Sequence, residues 1–286
     1  MSASSYTFDS PDVDVILRAP LRPDDPESTE FKDFRVHKSI LSAASAVFCD
    51  MFSVPQPPQP TEGDTNLPVV QVTDPVDAFE TFLRLIYPIE PPAINSLQTV
   101  DYLFQLASKY VASGVHARLK QTLVSPSFLR SDPVWVYAIA CRMDLGEEME
   151  VAIPRTYQID LIKDIPPPLL QAMTAEMYNR LLRSHATRRE ELTTALHQTN
   201  CPRSEAGRCA CGPRFYAALY RDIRLAIWEK PVLDRRILDS CLSHIRAIPN
   251  SECRLGASCR VSPQTISAFL TEVLDRVEEL DRVSNH

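Results

Sequence analysis

Glycine is scarce: the 286-residue chain carries six, against 24 prolines. A backbone that cradles phosphates needs glycine at fixed offsets, and no G-x-G-x-x-G or P-loop pattern occurs. Neither G-x-S-x-G nor H-E-x-x-H is present, so no nucleophile elbow and no helical zinc-protease pair is written in the chain. These absences weigh against an enzyme, and no small-molecule substrate is inferred. Long apolar runs are missing as well. No stretch reaches the roughly 18 uncharged apolar residues of a membrane helix, so no membrane span is expected. The opening "MSASSYTFDSPDVD" has neither the basic start nor the apolar run of a secretory signal, and no Asn-x-Ser/Thr acceptor follows. Positive charge is also short. The net charge is −7; residues 1–200 hold 17 basic and 26 acidic side chains, residues 201–286 hold 13 and 11. An acidic body with a nearly balanced tail argues against a general nucleic-acid or anionic-membrane binder.

What is present reads as a globular chain, 44% hydrophobic, with one large core or two modest ones. Proline in place of glycine predicts helix starts and rigid turns rather than flexible linkers. "VDVILRAP" alternates and is rich in β-branched residues, which predicts a strand; a second is expected at 31–36 and a third at "LPVVQV". From Ser39, apolar positions through Phe52 recur at three and four, the helical period. "TDPVDAFETFLRLIYP" predicts a helix capped by Asp74 with Pro75 first. Another spans 97–111, with Ser113-Gly114 as its stop, and "VHARLKQTLV" resumes. "SDPVWVYAIACRMDLG" repeats the Asp-Pro start and is expected to end at Gly146. Pro154 is expected to interrupt the next helix, and "IPPPLL" to form a rigid connector into a long helix over 175–197. Helices near 215–229 and 232–245 and a last one capped by Ser262 complete the pattern. The fold class is α+β: a first third mixing strands with helices, then helices alone.

The stretch "DVDVILR…FRVHKSILSAASAVFCDMF…LPVVQVTDPVDAFETFLRLIYP" resembles the BTB/POZ domain. In "HKSILSAASAVF" and "LRLIYP" it is closest to the large group of fungal, basidiomycete-type BTB-domain proteins. "LFQLASKYVASGVHARLKQTLV" is similar to the family's following helix pair, and "FLRSDPVWVYAIACRMDLGEEMEVA" to a helical extension. The reading divides the chain into a BTB/POZ domain at 8–124, a helical extension at 125–200 and a Cys-rich helical region at 201–286. The resemblance implies a protein-interaction module whose partners are other proteins, with self-association among the options. It further implies a charged pocket for partner peptides at Asp14 and Lys38; an ion pair at the edge of the fold is the alternative. His37 stands where a strand hands over to a helix, so an architectural role is expected, bonded to nearby backbone or to the Asp14 carboxylate. The segment before Val13 offers little apolar surface for a strand-exchanged dimer. Pro60-Thr61-Glu62 is a poor match to the hydrophobic-x-Glu motif of cullin-ligase adaptors.

Eight cysteines in a chain expected in the cytoplasm or nucleus favour thiols or metal ligands over disulfides. Cys201, Cys209 and Cys211 form C-x7-C-x-C, and Cys253 and Cys259 form C-x5-C, each in a loop between helices. Structural zinc, plain reduced thiols and a redox pair at Cys209 and Cys211 are the three readings; the spacings are not the usual C-x2-4-C of zinc sites. His197 and His244 are substitute ligands. Cys49, Cys141 and Cys241 lie on apolar helical faces and are expected in the core. The last helix, with Ile266, Leu270, Val273, Val277 and Leu280, either packs back or pairs with another chain. The function expected is protein binding without catalysis. A zinc-bearing transcription or chromatin-linked regulator and a cullin-ligase substrate adaptor are the alternatives.

Overall fold

The computed structural model describes residues 8, 10, 12–21, 30–54, 67–199, 211–246 and 263–284. The chain divides into two compact units, Met1–Met149 and Glu150–His286. The elements run β1 (Val15–Pro20), β2 (Phe31–Val36), α1 (Lys38–Ala44), α2 (Ala46–Ser53), β3 (Val69–Gln71), α3 (Val76–Ile86), α4 (Leu97–Lys109), α5 (Ser113–Leu123), α6 (Pro126–Ser131), α7 (Pro133–Arg142), α8 (Gly146–Thr156), α9 (Pro167–Ala172), α10 (Ala175–Gln198), α11 (Cys211–Glu229), α12 (Arg235–Arg246) and α13 (Pro263–Ser284). A three-stranded sheet with helices, followed by a helical region, gives an α+β architecture.

The sheet order is β2-β1-β3. β1 pairs antiparallel with β2, Leu17 opposite Phe34, and parallel with β3, Leu17 opposite Val70. Val15, Ile16, Leu17 and Ala19 are all buried, so the central strand is covered on both faces. Phe8 docks on the outer side of β2, where its carbonyl accepts from the Arg35 N–H at 3.1 Å and its ring meets Phe34 and Tyr87 edge-on. One phenylalanine of this segment is thus seated on its own chain. Against the sheet lies an aromatic core of Phe34, Phe48, Phe79, Phe82 and Tyr110, with neighbouring ring centroids about 5–6 Å apart.

The helix expected from Ser39 to Phe52 is two helices. Ser45 adopts φ −143° and ψ 122° between them, and its hydroxyl accepts from Phe48 N–H at 3.1 Å while donating to the Tyr110 carbonyl. Ser45 is thus both an N-cap and a tie to the end of α4.

Two helix ends also differ from expectation. Val111 (φ 49°) closes α4: Ala112 N–H bonds the Ala107 carbonyl at 2.8 Å and Val111 N–H the Ser108 carbonyl at 3.2 Å. Asp144 (φ 53°) closes α7 in the same way, with Leu145 N–H on Ala140 and Asp144 N–H on Cys141. Both are Schellman closures with a non-glycine residue in the left-handed position. The expected stops instead begin helices: Ser113-Gly114 opens α5 and Gly146 opens α8. A β-branched residue is the costlier of the two at positive φ. Because the Val111 side chain is 56% exposed, Val111→Gly forfeits little packing. The variant is expected to stabilise the first unit by roughly 0.5–1 kcal/mol, the left-handed penalty less the extra chain entropy of glycine. Urea unfolding of both proteins checks this; an unchanged or lower midpoint would count against strain at residue 111.

In the second unit, α8 runs through Pro154 to Thr156 instead of stopping at the proline. The "PPPLL" connector contains the short helix α9, with Pro167 at its first position. α10 to α13 share a core of Leu192, Leu196, Leu219, Ile223, Ile227, Leu238, Phe269 and Val273. Ile266, Leu270, Val273 and Val277 are buried in it, so the apolar seam of α13 packs back within its own unit.

Candidate partner-binding surface

Asp14, just before β1, and Lys38, first in α1, meet through the backbone. The exposed Asp14 carboxylate accepts from the Lys38 N–H at 2.7 Å, satisfying one of the donors a helix start leaves open. The Lys38 ammonium lies 5.9 Å from the centre of the Phe52 ring, a cation–π contact. Among the described residues no ion pair joins the two side chains. The site therefore presents an acid and a base separately, with the acid already holding the helix in place.

His37 is the N-cap residue of α1 in extended conformation (φ −99°, ψ 121°). Its N–H donates to the Tyr87 hydroxyl at 2.8 Å, and that hydroxyl stands 3.2 Å from Nδ1. With the phenol donating to Nδ1, the ring proton sits on Nε2, which faces Asp12 at 3.3 Å. The partners are thus Tyr87 and Asp12; the carboxylate of Asp14 serves Lys38 instead. Asp12 is held below the usual carboxylate range by the Ser10 hydroxyl first and by His37 next. Tyr87 is 2% exposed and Asp12 stands in solvent, so the imidazole bridges core to surface at the strand-to-helix corner.

Behind this corner lies a polar cluster that sequence reasoning missed. Asp74 was expected to cap α3, but Pro75 is the N-cap residue, with no side-chain cap bond. The Asp74 carboxylate turns inward and accepts from Lys109 Nζ at 2.8 and 2.7 Å and from the Tyr110 hydroxyl at 2.6 Å. Asp74 is 5% exposed and Tyr110 3%. Burial, then the Asp74 hydrogen bond, pushes the Tyr110 phenol far up, which keeps it a neutral donor. A helix-start motif at Asp74-Pro75 signals a cap; only the spatial approach of the α4 end reveals a clamp.

The tail is a different matter. Cys201, Cys209, Cys253 and Cys259 lie outside the described residues, as do Glu62 and the Ser262 cap, and Cys211 is described only as part of the α11 backbone. Among the described residues no group of three or more His, Cys, Asp or Glu is placed to hold a metal. Of the three cysteines expected in the core, Cys241 is buried, Cys141 is half-buried beside Met149 Sδ, and Cys49 is exposed. Cys49 follows buried Phe48 on a helix too short for one apolar face to cover it. Among the described residues no helix is long and apolar enough to cross a membrane.

Chemically, the arrangement at Asp14, Lys38 and His37 presents one exposed carboxylate, one ammonium over an aromatic ring, and a half-buried imidazole engaged on both nitrogens. Residues 28–127 match the family model of the BTB/POZ domain.

Proposed function

We propose that, with a BTB/POZ domain at residues 28–127, this chain is a non-catalytic scaffold that recruits protein partners. The observation that carries the reading is that match, because BTB/POZ domains are protein-interaction modules. The partner surface includes Asp14 and Lys38. The Lys38 ammonium, free of a carboxylate among the described residues, supplies a charge for an acidic group on the partner, and Phe52 supplies apolar area beside it. Self-association by exchange of the N-terminal segment is not favoured, since Phe8 engages its own chain. The fungal grouping and a cytoplasmic or nuclear setting belong to the same reading. A zinc site at the five tail cysteines would make the chain a zinc-bearing regulator; metal analysis of the purified protein decides that.

Affinity capture with wild type and Lys38→Glu tests the scaffold. The variant is expected to fold normally, because only the Lys38 backbone is bonded to Asp14, and to lose a subset of partners retained by wild type. An unchanged partner set with an unchanged melting curve would remove Lys38 from the surface.

A further inference from the structure

We propose that the solvent-facing stripe of α11 around Trp228 is a docking site for an acidic peptide segment carrying a large apolar anchor. It lies in the unit Glu150–His286, outside the matched domain, and goes beyond the reading above.

Tyr216, Leu219, Ile223 and Ile227 turn one side of α11 into the core. Ala217, Arg221, Arg224, Leu225 and Trp228, at helical spacing, form the opposite side. Two large apolar side chains there stay in water, Trp228 at 73% and Leu225 at 59% exposure. A single exposed apolar residue is ordinary, but an exposed indole one turn from an exposed leucine is unusual on a closed surface.

A cation flanks the indole. The Arg189 guanidinium of α10 lies 5.7 Å from the ring centre, and its Nε donates to the Trp228 carbonyl at 3.0 Å. Lys230 Nζ reaches Asp164 at 3.2 Å and ties the end of α11 to the turn after α8. In that turn Asp160 accepts from the N–H groups of Ile162 and Lys163, and Ile162 projects into solvent at 85% exposure. A guanidinium already anchored beside an exposed aromatic loses little entropy on binding, and the pair has the chemistry of an interface anchor.

Charge selects the occupant. Arg221 is engaged by Asp222 at 3.0 Å, but among the described residues neither Arg189 nor Arg224 has a carboxylate partner. Glu229 stands at the flank of the stripe. In a chain of net charge −7, two guanidiniums left without acids beside an exposed indole favour a carboxylate-bearing partner, which a guanidinium binds through paired hydrogen bonds.

The full chain is titrated with two fluorescent synthetic peptides, one of Glu, Leu and Phe, the other with Lys replacing Glu. The acidic probe is expected to bind and the basic probe not. Trp228→Ala and Arg224→Glu are each expected to weaken binding at least about tenfold. Both side chains are exposed, so the circular dichroism and melting curve of each variant are expected to match wild type. In a Trp135→Phe background, Trp228 is the sole tryptophan, and its emission is expected to shift to shorter wavelength on binding. Equal binding of both probes, binding of neither, or acidic binding undiminished in both variants would overturn the proposal. So would a shift of Trp228 emission that follows protein concentration without probe, which assigns the stripe to a second copy.

Discussion

Asp74→Ala is expected to destabilise the unit Met1–Met149 by about 3 kcal/mol, from stranding a buried hydroxyl and losing a charge-assisted bond. The carboxylate joins the start of α3 to the end of α4 through Lys109 and Tyr110. The lysine side chain is 45% exposed, so water replaces most of what it loses; the Tyr110 hydroxyl is buried and has no such recourse. Tyr110→Phe alone is expected to cost about 1 kcal/mol, because Lys109 still satisfies Asp74 and the ring keeps its stack on Phe48 at 4.7 Å. With both changes made, nothing polar is stranded, and the double variant is expected to be no less stable than Asp74→Ala. The coupling then amounts to about 1–2 kcal/mol. Of the two tryptophans, Trp135 lies in the first unit and Trp228 in the second. In a Trp228→Phe background, urea unfolding followed by Trp135 emission reads the first unit alone. Strictly additive costs would show that the hydroxyl and the carboxylate do not depend on each other.

His185 sets the second large effect. It is fully buried on α10, and the Thr156 hydroxyl, which donates to the Ile153 carbonyl at 2.6 Å, accepts from its Nε2 at 2.9 Å. Among the described residues Nδ1 has no hydrogen-bond partner, the Tyr157 ring meets the imidazole edge-on, and Arg188 and Arg189 lie on the same helix. Burial, then the charge of Arg189, pulls the imidazole from 6.5 down to about 4. The folded chain therefore keeps His185 neutral while the unfolded chain protonates it near 6.5. Stability is whole above that pH, falls as the pH drops toward 4, and levels below. The loss at pH 4 is about 3 kcal/mol. His185→Gln keeps a donor for Thr156 without the titration, so its stability is expected to fall less between pH 7 and pH 4, by about that amount. Parallel pH profiles for the two proteins, by urea unfolding followed at 222 nm, would show that His185 protonates freely in the folded state.

Much of the first unit was legible because its signals are local. β2 stands at 31–36 as read, and α4 begins at Leu97 where apolar periodicity placed it. The breaks were not legible, since each is decided by a distant partner. Ser45 divides a continuous helical pattern because its hydroxyl finds the Tyr110 carbonyl, and no spacing among neighbouring residues encodes that. Asp74 was read as a cap from its place before proline; a lysine and a tyrosine 35 and 36 residues away claim it. The helix stops misled for a related reason. Glycine normally marks a left-handed closure, but here Val111 and Asp144 take that conformation and the nearby glycines begin the next helices. At the candidate site the Asp14 carboxylate and the Lys38 amide meet at one corner, while the partners of the imidazole were not legible. Tyr87 lies 50 positions from His37, and only the closing of α3 against the sheet brings it there.

β1 lies between β2 and β3, yet the matched span begins after it, at residue 28. A recombinant piece trimmed to that span would keep both outer strands and lose the ladder each of them uses, for β2 and β3 share none. Asp14 would go with it, leaving the Lys38 amide without its acceptor at the start of α1. The smallest autonomous fragment of this chain has to begin upstream of Asp14.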